Sequence, residues 1–434
     1  MLYAKLKASL QTSPATSNRI VLALSGGMDS RVLLHLMGRY MQLNPALSCH
    51  AVHVHHGLSP HADSWAQQCV QWAKEEGIDC SVESVDLTLG SRLSVEQQAR
   101  EARYQMLAKH LQPSDILLTA QHADDQFETL LLALKRGSGP AGLSAMPKCT
   151  AFAAGWHIRP LLDVSRADIE AYATAHQLEW VEDESNRDER YDRNFLRHQI
   201  TPLMTARWPG IRKAVARSAT LCAEQESLLQ ELLADKLAAA LHPDRSLCID
   251  SLGSERQGKA LIRQWLSQQG ALMPSYAQMA QIWQTVVQAK PDANPKVCWS
   301  RFELRRFQQR LYLMEQWPDI SDTVLDCQLG SPCLLPQKLG WLSLVPVTEG
   351  CLRMPRHDEA VSIRFEPAGL EVCPLGRAGK RKLKKLFQEY GVPSWNRRRT
   401  PLLYYGEQLA AVAGVFVVAE FAGDECGLQW LPSS

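Results

Sequence analysis

The chain has 434 residues, 45% of them apolar and 21% charged, with a formal net charge of +1; this is ordinary for a globular protein of two or three domains and excludes nucleic-acid binding driven by global charge, so such a partner must meet a local patch. The 12 cysteines are scattered with no C-x-x-C spacing, which fits small buried hydrophobes in a reducing compartment better than disulfides or zinc. Met1 to Arg19 lacks a signal-peptide core and the longest apolar run, Leu409 to Ala419, is too short to cross a bilayer, so a cytoplasmic protein without a membrane partner is expected.

The first element is Ile20 to Leu24, a short apolar and β-branched run that reads as a buried parallel strand. Ser25-Gly-Gly-Met-Asp-Ser30 follows, and apolar residues resume at helical spacing from Val32 to Leu36. Leu47 to His55, Cys80 to Val85 and Asp115 to Ala120 read as further strands. The segments Ala62 to Glu76, Val95 to Leu111 and Ala123 to Lys135 read as helices between them. A fifth strand is expected within Ala151 to Ile158, then a helix from Ser165 to His176. This alternation predicts a Rossmann-like doubly wound parallel sheet with its ligand at the carboxyl ends of the strands.

Trp180 to Arg197 is dense in charge and asparagine, and a solvated loop and a functional segment stay equally open for it. Ile211 to Leu241 follows as a long connecting helix, and His242-Pro-Asp-Arg-Ser246 breaks it. Helices at Glu255 to Gln268 and Tyr276 to Ala289, then strands from Val297 to Met314, suggest a small second domain. The remainder mixes short strands, turns and a basic segment. The expected division is 1–215 for a catalytic α/β domain, 216–345 for a small, mainly helical domain, and 346–434 for a C-terminal α+β domain.

Chemistry concentrates in a few strings. Gly26 and Gly27 let the backbone turn and present N–H groups, while a helix starting at Ser30 aims its positive end at the same point. That is a seat for an anion, with Ser25 and Ser30 adding hydroxyls and Asp29 able to hold a magnesium ion. Ser-Gly-Gly-Met-Asp-Ser lacks the Lys-Ser/Thr pair of the P-loop ATPases. Gly137, Gly139 and Gly142 spell G-x-G-x-x-G, but they follow a helix and are discounted.

At the fourth strand's end, His122-Ala-Asp-Asp-Gln-Phe-Glu128 places Asp124, Asp125 and Glu128 on one helix. Acids beside a triphosphate can bind magnesium, grip an ammonium group or accept its proton; for Asp124 and Asp125, as first-turn residues, capping is the plain alternative. Arg100 and Arg103 suit phosphate or base recognition, although Glu96 could pair with Arg100 at i, i+4. His53, His55 and His56 cluster without an acidic or cysteine ligand nearby, so zinc is disfavoured. Arg377 to Phe387 carries six cations, with Leu383, Leu386 and Phe387 forming an apolar face, and Arg397 to Arg399 follow. Such a surface suits RNA phosphates.

The glycine string resembles the pyrophosphate loop of the N-type ATP pyrophosphatases, which cleave ATP between its α and β phosphates. The ordered strings Ser25 to Ser30, His53 to Gly57, Glu96 to Tyr104, Ala120 to Thr129, Lys135 to Leu143, Arg159 to Leu162, Glu182 to Asn186, Arg193 to Arg197, Arg381 to Phe387, Val392 to Arg397 and Thr400 to Leu403 resemble the bacterial tRNA(Ile)-lysidine synthetase family over nearly the whole chain. His55 and Asn396 depart from the family's usual residues. The resemblance implies ATP and Mg2+ as cofactors and a CAU-anticodon isoleucine tRNA and free L-lysine as partners, and it leaves a homodimer open. It implies catalytic roles for Asp29, Asp125, Arg193, Asp124 and His122. It assigns nucleotide contacts to Ser25, Gly26, Gly27, Met28, Asp29, Ser30, His53 and Arg100, with Asp29 also meeting magnesium through ATP. RNA contacts fall to Arg377, Lys380, Arg381, Lys382, Lys384, Lys385, Arg397 and Arg398. A tRNA thiolase, an amidotransferase relative and a non-enzymatic RNA-binding protein are the rival readings. The first needs positioned cysteines or an iron–sulfur site, the second a glutaminase domain or partner, and the third would tolerate loss of Asp29 or Asp125.

Overall fold

The computed structural model describes residues 1–57, 59–85, 95–290 and 293–432, with backbone only at 95–97 and 187. Leu58, in the loop expected after the second strand, and the Glu96 side chain, offered as a partner for Arg100, lie outside the described residues. The chain divides into two compact units, Met1–Glu231 and Leu232–Ser434.

The first unit is built from α1 (Leu2–Gln11), β1 (Arg19–Ala23), α2 (Met28–Leu43), β2 (Ser48–His55), α3 (Ala62–Glu75), β3 (Asp79–Ser84) and α4 (Val95–Lys109). It continues with β4 (Ile116–Leu118), α5 (Ala123–Lys135), α6 (Pro140–Leu143), β5 (Cys149–Phe152), β6 (Gly155–Ile158) and α7 (Arg166–Ala175). Three further helices, α8 (Asp192–Phe195), α9 (Thr201–Arg207) and α10 (Ile211–Ala240), close the segment, α10 running on into the second unit.

The sheet order is β3-β2-β1-β4-β6-β5, and β1 pairs in parallel with both β2 and β4. The chain winds outward one way from β1 to β3 and then returns to add β4 on the other side. The topological switch therefore lies between β1 and β4, where α/β sheets open a crevice at their carboxyl edge. Ile20, Leu22 and Leu24 join the core on one face, with α2 and α7, while Val21 joins the opposite core with Leu107 and Leu111 of the α4 side. This is the period-two alternation of a strand buried on both faces. Each such side chain contributes about 1.5–3 kcal/mol of burial, so the strand that carries the glycine loop is fixed by packing from above and below.

The expected single strand within 151–158 is instead a hairpin: β5 pairs antiparallel with β6 as an edge, and β6 alone joins β4 in parallel. Its turn uses Ala153 at φ 50°, a residue that carries no turn signal in sequence. The segment 180–197 is also more ordered than a solvated loop. It holds a 3-10 turn at Glu184–Arg187, then α8 and a π turn at Leu196–Ile200.

In the second unit, α10 ends at Ala240 and a helix spans Glu255–Gln268. The expected helix from Tyr276 to Ala289 is α-helical through Gln281 and a π-helix over Ile282–Val287. These pack on an antiparallel sheet that includes Lys296–Trp299, Phe302–Phe307 and Arg310–Glu315. A separate core, with Phe365, Leu383, Leu386, Phe387 and Tyr405, organises the C-terminal strands. Along the apolar run Leu409 to Ala419 lie two strands, Gln408–Val412 and Phe416–Val417, paired around the turn at Gly414. All twelve cysteines are free. Among the described residues no helix is long and apolar enough to cross a membrane.

Candidate active site

The loop between β1 and α2 is held by its own hydroxyls. Ser30 Oγ donates to the Gly27 carbonyl (2.9 Å), lies 3.0 Å from Ser25 Oγ and accepts from the Ser25 N–H (3.2 Å). Ser30 is buried and Ser25 exposed, so Ser30 closes the turn and Ser25 is the hydroxyl left facing solvent. Gly26 has φ +84°, and a Cβ there would lie 3.1 Å from Cys69 Sγ. Its carbonyl accepts from the Val181 N–H at 3.0 Å. Met28, buried, opens α2 behind the Gly27 cap, and His53 secures the strand end through an Nδ1 contact of 2.9 Å with the Leu24 carbonyl.

Asp29, in the first turn of α2, has one buried oxygen, Oδ1, without a hydrogen-bond partner. An orphaned carboxylate oxygen beside an anion seat has the donor chemistry of a hard cation's ligand, and this fits magnesium. Its other oxygen lies 3.5 Å from His122 Nε2. Burial alone would raise the Asp29 pKa, but the His122 hydrogen bond and charge, with Arg166 and Arg197 behind them, bring it below the usual carboxylate value.

His122 is the N-cap of α5 in a reciprocal capping box: its Nδ1 accepts from the Asp124 N–H, and Asp125 Oδ2 accepts from its own N–H at 3.0 Å. Nε2 then faces Asp29 and Asp125, each at 3.5 Å. Burial would lower the ring's pKa, but Asp29, Asp125 and Asp124 together raise it.

The three acids of α5 have different surroundings. Asp124 spends both oxygens on the scaffold: Oδ2 accepts from the Arg166 N–H at the start of α7 (3.0 Å), and Oδ1 pairs with Arg212 of α10 (2.7 Å). Asp125 accepts from Arg197 Nη2 at 3.2 Å. Glu128 is 1% exposed and is clasped by Arg197 through Nε (2.8 Å) and Nη2 (3.0 Å), with Arg193 Nε 3.2 Å away. Burial pushes the Glu128 pKa up against the pull of Arg197. Arg193 also donates to Thr129 Oγ1 at 3.0 Å. The sheet edge thus gathers Asp29, His122, Asp125 and Arg193, and buried Glu128 meets there a partner, Arg197, that was not among the expected catalytic residues. Each side carries a local signal, Glu128 three residues after Asp125 and Arg193 one helical turn from Arg197, but neither identifies the other as its partner.

Arg100 is exposed on α4, its guanidinium 5.2 Å above the Tyr104 ring. In the second unit, helix Leu383–Glu389 buries Leu383, Leu386 and Phe387 and leaves Lys384 and Lys385 exposed, with Lys382 at its cap. Arg377 and Arg381 both pair with Glu389, and Lys380 lies 3.7 Å from Glu420. Arg397 donates to the Val392 carbonyl at 3.2 Å, and Arg398 meets Asp319 and Glu366. Among the described residues, Lys382, Lys384 and Lys385 are the segment's cations outside any ion pair.

Residues 2–204 match the PP-loop domain family, residues 250–312 the TilS substrate binding domain and residues 361–431 the TilS substrate C-terminal domain. A solved U34-tRNA thiolase from Methanococcus maripaludis covers 51% of this chain and 78% of its own at 18% identity, with a TM-score of 0.45. The chain is 64% identical over 435 residues to a tRNA(Ile)-lysidine synthase of Photobacterium profundum, covering 100% of both. It is 52% identical over 432 residues to one of Vibrio parahaemolyticus, covering 99% of this chain and 98% of the relative. With identity of this order along its full length, the chain belongs to the tRNA(Ile)-lysidine synthase family.

Proposed function

We propose that this chain ligates free L-lysine to C2 of the wobble cytidine in an isoleucine tRNA with a CAU anticodon. ATP adenylates the C2 oxygen with loss of diphosphate; the lysine ε-amine then attacks C2, the C2–O bond breaks and AMP leaves. The observation that carries the reading is full-length identity to relatives bearing the synthase name. A cytosine carbonyl oxygen is a poor leaving group and an adenylate a good one, which is the reason to use ATP.

The site residues take roles that their surroundings support. The N–H groups of Gly26, Gly27 and Met28, with Ser25, cradle phosphates at the positive end of α2. Magnesium, held through Asp29, would neutralise phosphate charge. His122 Nε2 draws one oxygen of Asp29 and one of Asp125 to the same point. Asp125 accepts a proton from the lysine ammonium, whose amine must be neutral to attack, and Arg193 orients the substrate from the α8 side. Asp124 and Ser30 keep the frame, while Arg100 meets nucleotide. Lys382, Lys384 and Lys385, with Arg377, Lys380, Arg381, Arg397 and Arg398 around them, meet tRNA phosphates. We also keep the three-part division 1–215, 216–345 and 346–434, and a cytoplasmic location, as part of this reading.

The test is transfer of radiolabelled lysine to an isoleucine tRNA transcript with a CAU anticodon, in ATP and magnesium, beside a transcript with uridine at the wobble position. ATP-dependent label on the first alone is expected. Tight tRNA binding without label would sink the reading.

A further inference from the structure

Between the end of β4 and the start of α5, outside the acid cluster, lies a chain of polar side chains whose direction can be deduced. Arg159 is buried and its Nη2 lies 3.0 Å from His157 Nδ1. A guanidinium only donates, so Nδ1 is the acceptor and the ring is neutral with its hydrogen on Nε2. Burial, with Arg159 and Arg100 nearby, holds the His157 pKa at about 3, in agreement. His157 Nε2 lies 2.7 Å from Thr119 Oγ1, so the ring donates and Thr119 accepts. The Thr119 hydroxyl hydrogen then goes to Gln121 Oε1. With its carbonyl fixed as acceptor, Gln121 turns its amide NH2 the other way, where Tyr104 OH lies at 3.4 Å.

Gln121 is half-buried, immediately before His122, at the edge where β1 and β4 part. One hydrogen of its amide faces the long Tyr104 contact and the other remains for a ligand. The Arg159-His157-Thr119 chain favours this position as a donor, because a flipped amide would leave the Thr119 hydroxyl hydrogen without the Gln121 carbonyl that accepts it. Cytosine carries an acceptor at N3 and uracil a donor at the same place, so a fixed donor favours the first base and repels the second.

We propose that Gln121 determines specificity at the target base, donating its amide N–H to the N3 acceptor of the cytosine. This rests on the functional reading above. The chain behind it acts on Gln121 only by orientation, so Thr119 is a positioning residue.

The experiment compares kcat/KM for lysine transfer to CAU transcripts bearing cytidine or 3-deazacytidine at the wobble position, the latter lacking the N3 acceptor. Wild type should lose about tenfold or more on the analogue, the scale of one hydrogen bond with a buried partner left unpaired. Gln121→Ala should lose as much on cytidine and show almost no further loss on the analogue, because the two deletions remove one interaction. Thr119→Val should narrow the same ratio, and Thr119→Ser should restore it. Affinity for a fluorescent ATP analogue should be the same in all four proteins. Losses that multiply in Gln121→Ala, or a fall in nucleotide affinity instead, would overturn the assignment. Wild type inactive even on the cytidine transcript would overturn the functional reading and this inference with it, a result distinct from an active enzyme indifferent to N3.

Discussion

His122 Nε2 stands 3.5 Å from Asp29 Oδ2, and this contact joins the glycine loop after β1 to the acidic helix after β4 across the switch in the sheet. The same ring caps α5 through Nδ1, so one side chain fixes the helix start and aims both Asp29 and Asp125. His122→Ala should therefore act twice. Loss of the cap costs about 1 kcal/mol of stability, and release of Asp29 and Asp125 should lower lysine transfer at least about tenfold. Thermal melts and steady-state kinetics separate the two effects; unchanged turnover with a lowered melting temperature would reduce His122 to a cap.

Glu128 and Arg197 make a second prediction. Removing one partner of a buried pair strands the other charge, at a cost of about 3–5 kcal/mol. Arg197→Met should approach the lower end, since Arg193 remains 3.2 Å from Glu128, and adding Glu128→Gln should recover part of the loss. Urea unfolding of the two variants checks this; independent, additive effects would show that the pair is not coupled.

How much of this was legible beforehand differs by element. The glycine loop and the His122 to Glu128 helix could be read because strand, turn and cap signals lie within a dozen residues of the chemistry. The β5–β6 hairpin could not, because Ala153 enters positive φ without glycine or asparagine to announce it. The charge-rich run ending at Arg197 leaves a solvated loop open by composition, yet Arg197 is held by Glu128, 69 residues earlier. Nothing local specifies such a partner. Ser30 shows the converse: its hydroxyl reads as a ligand donor but closes its own turn on the Gly27 carbonyl.

His157 gives a pH prediction. Its folded pKa, about 3, lies below the ordinary 6.5, so between these values the unfolded chain binds a proton that the native chain refuses. Stability contributed by the neutral ring is present above 6.5 and is lost as pH falls toward 3. The slope from this group is about one proton, or about 1.4 kcal/mol per pH unit once the unfolded ring is charged. His157→Gln should flatten the fall in stability between pH 6 and pH 4 by about that amount, measured by urea unfolding at fixed ionic strength. An unchanged slope would mean that the ring titrates alike in both states.

The Lys384 and Lys385 prediction is electrostatic. Both are exposed on a helix whose opposite face is buried, so replacing either by Ala leaves the core intact. If they meet phosphates, each substitution should weaken binding of the CAU transcript and of unrelated tRNAs alike, and reduce the slope of log affinity against log salt by about 0.7–0.9. Arg381→Ala should change the slope less, because its guanidinium already pairs with Glu389 at 3.1 Å.

Gly26 tests how the loop is shaped. Its φ of +84° penalises any side chain, and a Cβ would press on Cys69 Sγ at 3.1 Å. The first cost belongs to the backbone and is about 1 kcal/mol or more; the second belongs to a neighbour that can be trimmed. Gly26→Ala should raise the KM for ATP and lower stability. Adding Cys69→Ala should return only the steric share, leaving the φ penalty in place. Full recovery in the double variant would show that crowding alone reserves this position for glycine, whereas no recovery would place the whole requirement in the backbone.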